Sequence, residues 1–132
     1  MRKVLFACCL AMLVSTAAQA EPVKETDDFR ACMDAVDLGA FKNTQWAACY
    51  EAELLRQDAA LNDTYRRLAG SLPADAKAAL VKGERSWLAY REHWCRFEGM
   101  TEMAPGGEVN RTACLLELTL LQINKLGSLI AQ

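Results

Sequence analysis

From Thr44 to Ala69 the chain contains neither proline nor glycine, and a seam recurs along it in steps of three and four. It reads Cys49 or Tyr50, Leu54, Asp58, Leu61, Tyr65, Leu68 and Leu72. Residues spaced this way share one face of an α-helix, whereas a strand would alternate every second residue. A second seam follows Pro73, which is accepted in the first turn of a helix. It carries Leu80, Glu84, Trp87, Arg91 and Trp94 or Cys95. Gly83 weakens this helix by about 1 kcal/mol relative to alanine without breaking it. Two long helices joined near Ser71–Asp75 form a helical hairpin. Thr44 serves as the expected N-cap of the first.

The rest of the chain reads in the same terms. Phe29 to Leu38, ended by Gly39, is expected to be a short helix. Gly99 to Arg111 contains Pro105, Gly106 and Gly107 without periodicity and reads as a loop. Thr112 to Ile130 forms a third strong helix, with Cys114, Leu118, Leu121, Leu126 and Leu129 expected in the core. The predicted class is all-α: a small disulfide-bonded helical bundle built on a long antiparallel hairpin plus a C-terminal helix.

The start of the chain reads as a secretory signal. Arg2 and Lys3 precede 11 apolar residues, Val4 to Val14, and Ala18-Gln19-Ala20 supplies a small-x-small cleavage site. The apolar run is too short to span ~30 Å of hydrocarbon. The expected division is a signal peptide at 1–20, a flexible segment at 21–28 and the helical domain at 29–132. Cleavage after Ala20 places the mature chain in the periplasm or outside the cell, without stable membrane insertion. Removing Arg2 and Lys3 from 15 basic residues leaves 13 against 17 acidic ones, a net charge of about −4. That balance disfavours nucleic acid, whose phosphates need a basic surface, and favours encounter with a cationic partner.

Four cysteines remain after cleavage: Cys32, Cys49, Cys95 and Cys114. An even number in an exported chain implies two disulfides. No zinc-type spacing is present and His93 is the single histidine, so neither a metal nor a cofactor is expected. Pairing Cys32 with Cys49 and Cys95 with Cys114 closes loops of roughly 20 residues, each worth about 3 kcal/mol in the chain-entropy model. The hairpin also brings Cys49 nearly level with Cys95, so a bridge between the two helices competes.

Polar residues on the two seams need partners, because an unpaired buried polar group costs about 1–3 kcal/mol. With the turn near residue 73, Asp58 falls within an arginine's length of Arg91, and Asn62 lies level with Glu84. These are the expected pairs, with Tyr65 and Tyr90 as further partners and Trp87 on the same seam. Asp58, Glu84 and Glu92 would together resemble an acid/base set, but a register-fixing ion pair accounts for Asp58 and Arg91 more simply. No other catalytic machinery is assembled, and no catalytic residue is assigned. Of the aromatics Trp46, Trp87, Trp94, Tyr65 and Tyr90, most are expected in the core.

The combined spacing of Cys49, Asp58, Leu61, Asn62 and Tyr65 with Leu80, Arg85, Trp87, Tyr90, Arg91 and Cys95, then Cys114, Thr119 and Leu126, resembles the LprI-like lysozyme-inhibitor family. The resemblance covers Cys32 to Leu126. It departs at Glu84, where the family usually has glutamine, at Glu92, where it has aspartate, and at Gln122, where it commonly has arginine. It implies an exported, non-enzymatic, disulfide-bonded helical domain that acts by binding protein; inhibition of lysozyme is the activity associated with one branch of the family. The alternative is a structural or accessory envelope protein that binds another envelope component. For lysozyme binding, the segment tethered by a Cys95–Cys114 bridge would present Glu98, Glu102 and Glu108 to a cationic enzyme, pre-organised by its closure.

Overall fold

The computed structural model describes residues 21–39 and 41–130; the signal sequence expected at 1–20 lies outside them. Four helices follow in chain order among the described residues: α1 Asp27–Asp34, α2 Lys42–Ser71, α3 Ala74–Gly99 and α4 Gly106–Ile130. Among the described residues there is no strand. The protein is a small helical bundle with the expected hairpin and C-terminal helix.

Helix boundaries follow local chemistry that the periodicity did not capture. α1 begins two residues before the expected Phe29, because the Thr26 hydroxyl caps it by accepting from the Phe29 amide at 3.2 Å. Asp27 and Asp28 then favour its positive end. It stops at Asp34, short of the expected Leu38. Beyond it the Asp37 carboxylate accepts from the Gly39 amide at 3.0 Å, a local turn that competes with helix. α2 starts at Lys42, with Phe41 rather than Thr44 in the cap position and no side-chain bond there. Leu72 and Pro73 alone link α2 to α3. Pro73 sits one position ahead of the helix, with φ −63° and ψ 160°.

α4 starts at Gly106, six positions before the expected Thr112, so the predicted loop from Gly99 to Arg111 shrinks to Met100–Pro105. Gly107 permits this. A Cβ there would run into the Gly99 carbonyl oxygen and lie 2.6 Å from that of Glu102.

The core is organised around α4, which packs against both α2 and α3. One cluster joins Leu116 and Leu120 to Phe29 and Cys49, with Tyr50 beside them. A second joins Ile123 and Leu126 to Leu61 and Leu68, with Trp87, Tyr65 and Leu80 against them. A third centres on Cys95, Cys114 and Leu115. Each fully buried leucine contributes about 1.5–3 kcal/mol. α4 is long and apolar enough to cross a membrane by length and composition. A core helix packed from two sides has the same composition. Its buried face differs from the one expected: Leu121 and Leu129 are exposed, while Leu115, Leu116, Thr119, Leu120 and Ile123 are buried.

Both local disulfides are formed. Cys32–Cys49 ties α1 to α2, and Cys95–Cys114 ties the end of α3 to the start of α4. Cys49 and Cys95 therefore do not pair. Two disulfides fit an exported protein.

Candidate functional site

Three polar arrangements stand out, and they do different things. The first is centred on Arg91. Its Nη1 donates to Asp58 Oδ1 on α2 at 2.7 Å and to Thr119 Oγ1 on α4 at 2.6 Å. Thr119 is fully buried, and its hydroxyl donates onward to the Leu115 carbonyl at 2.7 Å. The guanidinium also lies 5.0 Å from the centre of the Trp87 ring. Asp58 is held by this arginine.

Asn62 and Glu84 are not joined, contrary to expectation. Asn62 points to solvent, and Glu84 accepts from Gln122 of α4 instead. The reason is the seating of α4. It packs against both α2 and α3, so a seam residue of α3 meets α4 first. Glu84 and Gln122 thus face one another as an amide–carboxylate pair. Tyr65 and Trp87 pack on the second apolar cluster.

The second arrangement lies off the helical seams that the periodicity marks. Glu53, fully buried on α2, accepts from the Thr26 amide at 2.9 Å and the Thr26 hydroxyl at 2.7 Å. It also accepts from Arg56 Nε at 2.9 Å and Gln57 Nε2 at 2.7 Å. Gln57 is buried too and reaches the Lys24 carbonyl at 3.4 Å. Burial alone would raise the Glu53 pKa, but the bonds from Gln57, Thr26 and Arg56 outweigh it and hold the carboxyl below its ordinary value. Further along, the Val23 amide donates to Asn124 Oδ1 at 2.6 Å and the Val23 carbonyl accepts from Asn124 Nδ2 at 3.0 Å. The lead-in segment 21–28 is therefore fastened at Val23, Lys24 and Thr26, and Asp27 and Asp28 belong to α1. Thr26 followed by two acidic residues was the one available signal. Glu53 and Gln57, four apart, lie one position before the seam residues Leu54 and Asp58.

The third is the end of the bundle where α3 passes into α4. Glu98 lies in the last turn of α3 and accepts from the Trp94 indole N–H. Glu102 lies in the short loop, its carboxylate beside Gly106 at the start of α4. Glu108 is in the first turn of α4 and pairs with Arg111 at 3.8 Å. Glu92 takes Arg96 at 3.3 Å and Arg111 at 3.4 Å. Slight burial raises the Glu92 pKa, but the Arg111 charge and the bonds from Arg96 and Arg111 bring it below its ordinary value. The bridge Cys95–Cys114 closes this end as expected, though around a six-residue loop. Tyr90 and Trp94, expected mostly in the core, are instead half exposed.

Among the described residues the chain is thus a disulfide-bonded, all-helical domain with an acidic end closed by a bridge. The family model for the lysozyme inhibitor LprI matches residues 39–126. The chain belongs to that family. An uncharacterized protein of Rhizobium meliloti (strain 1021), R02472, is 30% identical over 131 aligned residues, covering 87% of this chain and 82% of that protein. No solved structure matches.

Proposed function

We propose that the chain is exported, cleaved after Ala20 and released into the periplasm, where it binds and inhibits a lysozyme without catalysing any reaction itself. The observation that carries this reading is membership of the LprI family across residues 39–126. Two further features support it. The disulfides suit an oxidising compartment. The mature charge of about −4 complements the cationic surface typical of lysozymes. The contact surface is the acidic end formed by Glu98, Glu102 and Glu108, which the Cys95–Cys114 bridge holds in shape so that little ordering is needed on binding.

The test is a titration of oxidised protein 21–132 against chicken-type, goose-type and invertebrate-type lysozymes. Dose-dependent inhibition of at least one type, lost on reduction, is the expected result. No inhibition of any type by folded, helical protein would overturn the reading and favour an accessory envelope role.

A further inference from the structure

The second half of α3 carries an aromatic ridge on the side away from the core. Tyr90, Trp94 and Phe97 are 50%, 44% and 57% exposed, while Cys95 between them is fully buried. The ridge is ordered before any partner arrives. Tyr90 and Trp94 stack with centroids 6.1 Å apart, Phe97 tilts against Trp94 at 5.6 Å, and the Trp94 N–H is fixed on Glu98. On its other faces α3 is held by Arg91 and by the Cys95–Cys114 bridge. Rigid, exposed aromatics of this kind are the residues that dominate protein–protein binding energy, because they add contact area with little loss of conformational entropy.

Charge identifies the occupant. Beside the ridge lies a shallow cleft of about 370 Å³ lined by Glu98, Thr101, Asn110, Ala113, Cys114 and Glu117. Two carboxylates line it and no base does, since Arg96 and Arg111 both turn to Glu92. Glu98 belongs to ridge and cleft alike. A second copy of this chain would bring a like-charged surface to the same place, and the net charge of about −4 opposes that.

We propose that this ridge is the anchor by which the protein docks on a lysozyme, with a lysine or arginine of the enzyme entering the cleft between Glu98 and Glu117. The assignment rests on the lysozyme reading above and names the residues that carry it. Trp94 and Phe97 bury against the enzyme, and the carboxylates set orientation and speed of encounter.

The test uses whichever lysozyme type the oxidised protein 21–132 inhibits, with affinity measured by calorimetry at low and physiological salt. The variants are Trp94→Ser/Phe97→Ser, Glu98→Gln/Glu117→Gln, and Leu55→Ser as an exposed apolar control on α2. The ridge variant is expected to bind about a hundredfold more weakly or worse. The carboxylate variant should bind about tenfold more weakly with a flatter salt dependence, and the control should match wild type. If the double ridge variant loses helicity by circular dichroism, Phe97→Ser alone, at the most exposed ring, carries the comparison. Wild-type affinity in a folded ridge variant would overturn the anchor and leave the inhibitor reading standing. Failure of wild type to bind any of the three enzymes would overturn both. Sedimentation of wild type as a dimer that the ridge variant dissolves would overturn the anchor in favour of self-association.

Discussion

Arg91 Nη1 donates to Asp58 Oδ1 at 2.7 Å, and the same nitrogen donates to Thr119 at 2.6 Å, so one side chain of α3 fastens both α2 and α4. A nitrogen with two hydrogens in a fixed fork suits this task; a lysine in its place would lack the fork's planar geometry. The pair lies well away from the Leu72–Pro73 link, which leaves the relative register of α2 and α3 to contacts such as this one.

Arg91→Leu is therefore expected to destabilise the protein by about 2–3 kcal/mol, since it strands a carboxylate that is only partly hydrated. Asp58→Asn should cost about 1 kcal/mol, because the amide oxygen can still accept. Denaturant unfolding of the two variants measures both. No measurable cost for Asp58→Asn beside a full cost for Arg91→Leu would show that the arginine acts without the Asp58 charge.

Glu53 sets an acid limit on the fold. Its folded pKa is lowered, so in acid the folded state binds fewer protons than the unfolded chain. The stability it adds is fully present above the ordinary glutamate range and is lost as pH falls through and below that range. Glu53→Gln should cost about 2 kcal/mol at neutral pH and flatten the decline in stability as pH falls through and below the ordinary glutamate range. Glu92, also lowered, leaves a residual slope. An unchanged pH profile in this variant would remove Glu53 from the account.

Replacing either cysteine pair by alanine is expected to cost about 3 kcal/mol, yet with different local consequences. Without Cys32–Cys49, amide exchange should rise across Asp27–Asp34 first, because α1 packs mainly on α2. Without Cys95–Cys114, it should rise around Met100–Pro105. Uniform exchange in both variants would mean that the bridges act only on the unfolded chain.

Two glycines should respond oppositely to alanine. Gly83 lies inside α3 with open space where a Cβ would stand, so Gly83→Ala should stabilise by about 0.5–1 kcal/mol. At Gly107 the Cβ meets backbone oxygens of Gly99 and Glu102, and overpacking of about 1–3 kcal/mol is expected. Thermal midpoints moving the same way for both would contradict the close approach of the two helix ends.

Gln122→Arg would place a cation against Glu84, which already accepts from Gln122. The gain should be small, about 0.5 kcal/mol, and should shrink in high salt. A salt-independent gain would point to packing by the longer side chain.

Sequence by itself determined the helical class, because seams spaced three and four apart cannot be buried by strands. It also brought Asp58 within reach of Arg91, because a tight turn between two long helices leaves few registers. The spacing of motifs carried the family resemblance. Helix ends were less legible: α4 begins at Gly106 through a close backbone approach to Gly99 that no composition signals. Tertiary structure alone decided the partners that α4 supplies to the α3 seam. α4 packs against both α2 and α3, so Glu84 meets Gln122 rather than Asn62, and Arg91 gains Thr119. It also decided that Glu53 is buried under the N-terminal segment and that Tyr90, Trp94 and Phe97 are left outside. Periodicity states that a helix has a buried face; only the helices packed against it determine how wide that face is.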